Sequence, residues 1–270
     1  MNRRDFTLAS MGLATAWATA APAATQSANA GSAFAPFRSR PVSIAMLVFE
    51  RMDQIDFTGP FSVLSRLPDS TLQVVGLGAS PIRDHKGLVL TPQADLAAAK
   101  EADVLVIPGG PGQEALMHQP ELLAAIASQV ESGRVLFSVC TGALLCGAAG
   151  VLRGRCATTH WASMEFLRYF GAEAVRQRVV VDERMVSAAG ITAGIDGALT
   201  LAALLRGDEV AERIQLDIQY APDPPFHSGD PLTAPKDVLD AVRAGYRSIS
   251  DARLKTAMAY AEQSLPRSSR

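Results

Sequence analysis

Two uninterrupted apolar runs, at residues 103–107 (Asp-Val-Leu-Val-Ile) and 134–139 (Arg-Val-Leu-Phe-Ser-Val), constrain this chain more than any other feature. A strand with one wet face alternates apolar and polar residues, whereas a strand covered on both faces reads as a continuous branched or aromatic run. Such runs belong to parallel sheets flanked by helices, and the rest of the chain supplies the helices. Apolar, β-rich stretches at 42–49, 72–77 and 89–91 and a hairpin at 179–181 and 185–188 alternate with helical patterns. Those patterns cover 54–67, 120–132, 141–149, 191–205 and 208–219, several of them closed by Pro or Gly. The alternation predicts an α/β fold, a mostly parallel sheet with helices on both faces, in a single domain.

The ends differ from this body. Arg3 and Arg4 precede a weakly apolar run at 8–21, and small residues offer cleavage after Ala23 or after Ala30. A basic start, an apolar middle and an A-x-A end predict an export signal over residues 1–30, of the twin-arginine type. The run is too short and Ala-rich to span a bilayer, so the expected mature protein is periplasmic or otherwise exported, without stable membrane insertion. Residues 31–40 read as a polar, small-residue linker, 41–220 as the main domain, and 221–270 as a segment completing it. Pro222, Pro224, Pro225, Pro231 and Pro235 make 221–235 an extended surface stretch, and helix-compatible sequence resumes at Asp237.

Composition narrows the function. With 25 Lys+Arg against 27 Asp+Glu the chain has a formal net charge of −2, no footprint for nucleic acid. Three cysteines are too few for a disulfide scaffold and odd in number, so at least one thiol stays free or pairs between chains. The isolated histidines His85, His118 and His227 show no ligand-like spacing, and no metal is expected.

The strongest chemical feature is Cys140, placed where the run 134–139 turns into Thr141-Gly142-Ala143 and a helix. A strand–nucleophile–helix elbow presents a side chain at the sheet edge, and the helix N-terminus lowers a thiol from its free pKa of about 8.5. Cysteine is otherwise most often a small buried hydrophobe, and the elbow position is what favours a nucleophile. Pro108-Gly109-Gly110-Pro111-Gly112 follows the other buried run. Its Gly109 and Gly110 amides, with that of Thr141, form a candidate oxyanion hole at the same sheet edge. Asp56, in Asp53-Gln54-Ile55-Asp56-Phe57, precedes an apolar helical face; it is either a capping carboxylate or a site residue. His160, in Thr158-Thr159-His160-Trp161, is a secondary candidate base that also reads as a packed histidine.

Together these segments resemble the PfpI-type, class I glutamine-amidotransferase-like superfamily, most of all its isonitrile-hydratase members, from about Ser43 to Pro235. The likeness is carried by Asp56-Phe57-Thr58-Gly59-Pro60, Ile107-Pro108-Gly109-Gly110, Ser138-Val139-Cys140-Thr141-Gly142, Ala157-Thr158-Thr159-His160-Trp161, Gly190-Ile191-Thr192-Ala193-Gly194-Ile195-Asp196 and Tyr220-Ala221-Pro222-Asp223-Pro224-Pro225-Phe226. The first five segments also resemble amidase-like domains of some AraC-type regulators. The resemblance implies a flavodoxin-like sandwich and a homodimer, with Cys140 as nucleophile and Asp56 as its carboxylate partner. It further implies that Thr141 lines the pocket and that Ile191 backs the thiolate through its backbone. The superfamily's proteases place His directly after the nucleophile, where this chain has Thr141, so protease chemistry is not expected. Ala188-Ala189-Gly190 stands where many relatives have three glycines, which puts turnover rate rather than reaction type in question.

The implied activity is cofactor-free hydration of a small isonitrile to an N-substituted formamide. A like charge beside a thiolate raises the pKa of Asp56, which then keeps a proton for the isonitrile carbon. Two alternatives use the same pocket: a cofactor-free glyoxalase, and a small-molecule or redox sensor without turnover.

Overall fold

The computed structural model describes residues 25–26 and 30–264, so the expected export signal falls almost wholly outside the described residues. Six strands form the body of one sheet: β1 (Val42–Val48), β2 (Ser70–Gly76), β3 (Val104–Ile107), β4 (Val135–Val139), β5 (Val179–Asp182) and β6 (Met185–Ala188). Their order is β5-β6-β4-β3-β1-β2. Every pairing is parallel except β5 with β6, the predicted hairpin. Two-residue strands extend the sheet, Ala94–Asp95 beside β2 and Thr25–Gln26 beside β5.

Sequence pattern explains the strand positions. All residues of β3 and β4 are buried, whereas β2 keeps exposed Thr71 and Gln73 on its outer part. The central strands are thus the continuous apolar ones, and each buried Val, Ile, Leu or Phe among them contributes roughly 1.5–3 kcal/mol. The main helices are α1 (Gln54–Leu64), α2 (Pro120–Glu131), α3 (Gly142–Ala148), α4 (Ala193–Arg206), α5 (Asp208–Asp217) and α6 (Lys236–Ser264). Helix α2 shows why such a segment is helical: Pro120 opens it, and Leu122, Ala125, Ile126 and Gln129 form one buried stripe at helical spacing. Helix α1 packs against α4, while α2 and α3 pack together on β4. Mostly parallel strands between helices, in this order, are the flavodoxin-like arrangement expected from the sequence.

One region differs from the sequence expectation, and a second, to which the sequence reading assigned no element, is helical. Residues 31–40 are not a loose linker: Phe34 and Phe37 are 0% and 4% exposed, and the short helix Ala35–Arg38 packs on α4. The spacing i, i+3 puts both rings on one side of a single turn, and Arg206 donates to the carbonyls of Phe37 and Arg40. The stretch Trp161–Phe170, which lacks a strong helical start signal, is a 3-10 helix burying Met164, Phe166, Leu167 and Phe170. Residues 221–230 are exposed throughout. Helix α6 then runs back to pack on Trp161–Phe170 and on the short helix Gln113–Leu116.

Candidate active site

Three strand ends build the site. Chain leaving β1 enters α1, whose first turn carries Asp56; chain leaving β3 forms the Gly109-Gly110 loop; chain leaving β4 turns at Cys140. The turn at Cys140 is strained, with φ of 55° in the left-handed region that non-glycine residues seldom occupy. It is held from both sides. The Cys140 N–H donates to the Ala188 carbonyl at 3.0 Å, and the Thr159 hydroxyl donates to the Cys140 carbonyl at 2.7 Å. Ile191, a β-branched residue with φ of 23°, is a second strained position nearby, and its backbone N–H and that of Thr141 stabilise the Cys140 sulfur anion.

The loop after β3 approaches so closely that only glycine fits. A Cβ on Gly109 would stand 2.5 Å from the Thr141 nitrogen, and one on Gly110 would stand 2.4 Å from the Asp53 nitrogen. The oxyanion-hole expectation fails here. Gly109 N–H donates to Asp56 Oδ2 and Gly110 N–H donates to Thr141 Oγ1, each at 3.0 Å. The side chains of Asp56 and Thr141 occupy the places an anion would take, so these amides orient the protein's own groups instead of a substrate oxygen.

Asp56 is 0% exposed. Burial first, then the Asp53 charge, pushes its pKa up to about 8, against the Gly109 N–H, the Cys140 side chain and Arg253. Its Oδ1 is buried without a hydrogen-bond partner, an uncommon state for a buried polar atom and one associated with catalytic roles. The carboxyl is therefore a neutral acid at neutral pH, as expected, although burial rather than a thiolate is the main cause. Cys140, 5% exposed, departs from the sequence expectation. Burial and the charge of Asp56 push its thiol up, and the Thr141 N–H, Arg253 and the Ile191 N–H only partly oppose them. A helix N-terminus lowers a thiol when water reaches it; here desolvation outweighs the dipole. The described cysteines Cys140, Cys146 and Cys156 are all free.

His160 stands apart as a packed side chain. Its Nδ1 accepts from the Ala162 N–H at 3.4 Å, capping the 3-10 helix. Its ring lies 5.4 Å from both Trp161 and Tyr246. Burial, then Arg253, pulls its pKa down to about 4, so the ring is neutral near pH 7 and a poor base.

Sequence reasoning missed what covers the site. Arg253 on α6, 5% exposed, donates to the Gly110 carbonyl at 3.0 Å, to Thr141 Oγ1 at 3.3 Å and to Gln113 Oε1 at 3.0 Å. Tyr246, on the same helix, packs edge-on against His160 and Trp161. Nothing local separates Arg253 from Arg243 or Arg247 in the sequence; only the fold brings it to a loop 143 residues upstream.

A family model described as DJ-1/PfpI family matches residues 42–204. Among curated proteins the chain is 45% identical over 202 residues to the isonitrile hydratase of Pseudomonas putida, covering 75% of this chain and 89% of that one. It is 29% identical over 142 residues to the glutathione-independent glyoxalase DJR-1.2 of Caenorhabditis elegans, covering 51% of this chain and 76% of that protein. Among solved structures, a THiJ/PfpI family protein from Pseudomonas syringae superposes with a TM-score of 0.78 at 35% identity. That match covers 82% of this chain and 92% of the other.

Proposed function

The chain belongs to the DJ-1/PfpI family, and from that premise we propose that it is a cysteine-dependent isonitrile hydratase. The observation that carries the proposal is the pairing of Cys140 with Asp56, a carboxyl that stays protonated at neutral pH with one oxygen unpartnered. The terminal carbon of an isonitrile accepts a proton and a nucleophile at the same atom, so it needs an acid and a sulfur side by side.

The chemistry balances as follows. Asp56 passes its proton to the isonitrile carbon and Cys140 sulfur bonds that carbon, the thiol proton replacing the one the carboxyl gave up. The product is a thioimidate on Cys140. Water then adds its oxygen to the carbon, one of its protons goes to nitrogen, and the other returns to sulfur through Asp56 as the C–S bond breaks. One water is consumed, an N-substituted formamide leaves, and no cofactor turns over. The Thr141 and Ile191 amides stabilise sulfur as it becomes anionic in both directions, and Gly109 N–H holds the Asp56 carboxyl in place.

The test is formamide production from an aryl or alkyl isonitrile by purified protein, with Cys140→Ala losing at least ~10³-fold in rate. Equal rates from both proteins overturn the proposal. A glyoxalase reading rests on the Caenorhabditis elegans relative and the same thiol; it predicts lactate from methylglyoxal, which the same pair of proteins checks.

A further inference from the structure

The last helix brings one charge into the site that the scheme above does not use. Arg253 has 5% exposure, and its contacts are Gln113 Oε1, Ser163 Oγ, the Gly110 carbonyl and Thr141 Oγ1. None of these is a carboxylate. A buried guanidinium that spends all its hydrogen bonds on neutral acceptors has no ion-pair partner in contact, an expensive arrangement unless negative charge lies nearby. The first favourable charge for it is that of Cys140, followed by Glu114, Tyr246 and Asp56.

The hydrogen bonds are directional. Thr141 Oγ1 receives both the Gly110 N–H and an Arg253 donor, while the Gly110 carbonyl accepts a second. Nη2 alone bridges the Gly110 carbonyl and Thr141 Oγ1, while Nε holds Gln113 Oε1 and Nη1 faces Ser163 Oγ, so one planar fork ties the loop after β3 and the residue following the nucleophile to Gln113 and Ser163. A lysine is able to supply the charge but not the fork. Other contacts of α6, Thr256 Oγ1 with Glu114 and Tyr260 OH with the Met117 carbonyl, dock the helix without facing the sulfur.

We infer that Arg253 is a positioning residue of the reaction: it locks Gly110 to Thr141 and supplies the counter-charge for the anion that forms on the Cys140–Asp56 pair. The inference depends on Cys140 being the reactive thiol and not on the identity of the substrate. Other ionisable groups surround the pair and Arg253: Asp53, capping α1, and Tyr246 on α6 act on the pair, while Glu114 on the helix beneath α6 and His160 at the start of the 3-10 helix act on Arg253. His160 is neutral across the range that matters. That leaves Arg253 as the cation balancing several acids.

The experiment follows the rate of Cys140 alkylation by iodoacetamide from pH 7 to 11.5, the midpoint being taken from the fitted pH–rate curve, with peptide mass spectrometry separating Cys140 from Cys146 and Cys156. Full-length wild type is compared with Arg253→Gln, Arg253→Lys and Tyr260→Phe. Arg253→Gln is expected to move the midpoint up by about one pH unit or more, as loss of a close opposite charge does. Arg253→Lys should keep most of the midpoint while lowering isonitrile kcat, because the fork is gone. Tyr260→Phe removes a docking bond of α6 that does not face the sulfur and should leave the midpoint alone. An unchanged midpoint in Arg253→Gln, or the same shift in Tyr260→Phe, overturns the inference. Should Arg253→Gln not fold, a wild-type midpoint with unaltered kcat in Arg253→Lys refutes the fork. Failure of isonitrile turnover in wild type with these midpoint shifts intact would sink the substrate assignment and leave Arg253 standing.

Discussion

The floor and the roof of the site are built by different means. The floor consists of Asp56, Gly109, Gly110, Cys140 and Thr141, all in segments that follow strands whose central residues are buried. The roof is α6, a helix with a mostly exposed surface that reaches the floor through Arg253 at the Gly110 carbonyl and Thr141 Oγ1, with polar contacts to Gln113, Glu114 and the Met117 carbonyl docking it alongside. Floor geometry is inherited from sheet hydrogen bonding and from glycines that admit no other residue, so it is rigid and tolerates strain at Cys140 and Ile191. The roof tunes charge and shields the sulfur, and it is held by packing on Trp161–Phe170 and by hydrogen bonds worth about 0.5–1.5 kcal/mol each. Chemistry that depends on position sits on the sheet, and chemistry that depends on field is supplied from above.

The sharpest way to break this contrast is in the floor. Asp56→Asn keeps the shape but removes the transferable proton, and hydration should fall by roughly 10²–10⁴-fold. Stability should respond with the opposite sign. The folded-state pKa of Asp56 is raised above its ordinary value of 3.8 to about 8, so folding favours the protonated form. Its favourable contribution is complete below pH 3.8 and is lost as pH rises towards 8. Thermal melts should therefore show Asp56→Asn gaining on wild type between pH 5 and pH 8, while wild-type hydration declines above about pH 8 as the acid ionises. A variant that loses rate but gains no relative stability with rising pH would mean that the buried carboxyl is already ionised.

A smaller effect is expected where the floor is pinned. Thr159→Val leaves the buried Cys140 carbonyl without its 2.7 Å donor, a loss of about 1–3 kcal/mol in denaturant melts, with a matching fall in rate as the elbow relaxes. The smallest belongs to the roof. Thr256→Val removes the hydroxyl that bonds Glu114 and should lower stability by about 1 kcal/mol without moving the pH midpoint of Cys140 alkylation. If Thr256→Val proved as damaging as Thr159→Val, roof and floor would be one cooperative unit and the contrast would dissolve.

The same division explains what could be read from the amino-acid sequence. Strands β3 and β4 were legible because burial on both faces writes an unbroken apolar run, and the elbow was legible because small residues follow Cys140 at once. The direction of the Gly109 and Gly110 amides was not, since it is decided by where Asp56 and Thr141 put their oxygens. The raised thiol was hidden for a similar reason: the helix dipole is visible in a sequence, but the depth of burial that overrides it is a property of the assembled fold. Phe34 and Phe37 were masked by small polar neighbours that made a packed turn look like a linker. Arg253 was beyond reach, because a single arginine on an amphipathic helix carries no mark of the loop it meets.

Residues 218–235, which join α5 to the last helix, contain no strand and stay almost entirely in water. In thermodynamic terms α6 is a tethered ligand of the protein's own body, held at an effective concentration on the order of millimolar by that tether. Lengthening such a tether costs only as the logarithm of its length, so insertions there should be borne easily across evolution. Drift in the tether is nearly free, whereas a change at one guanidinium on its far end is felt at the sulfur.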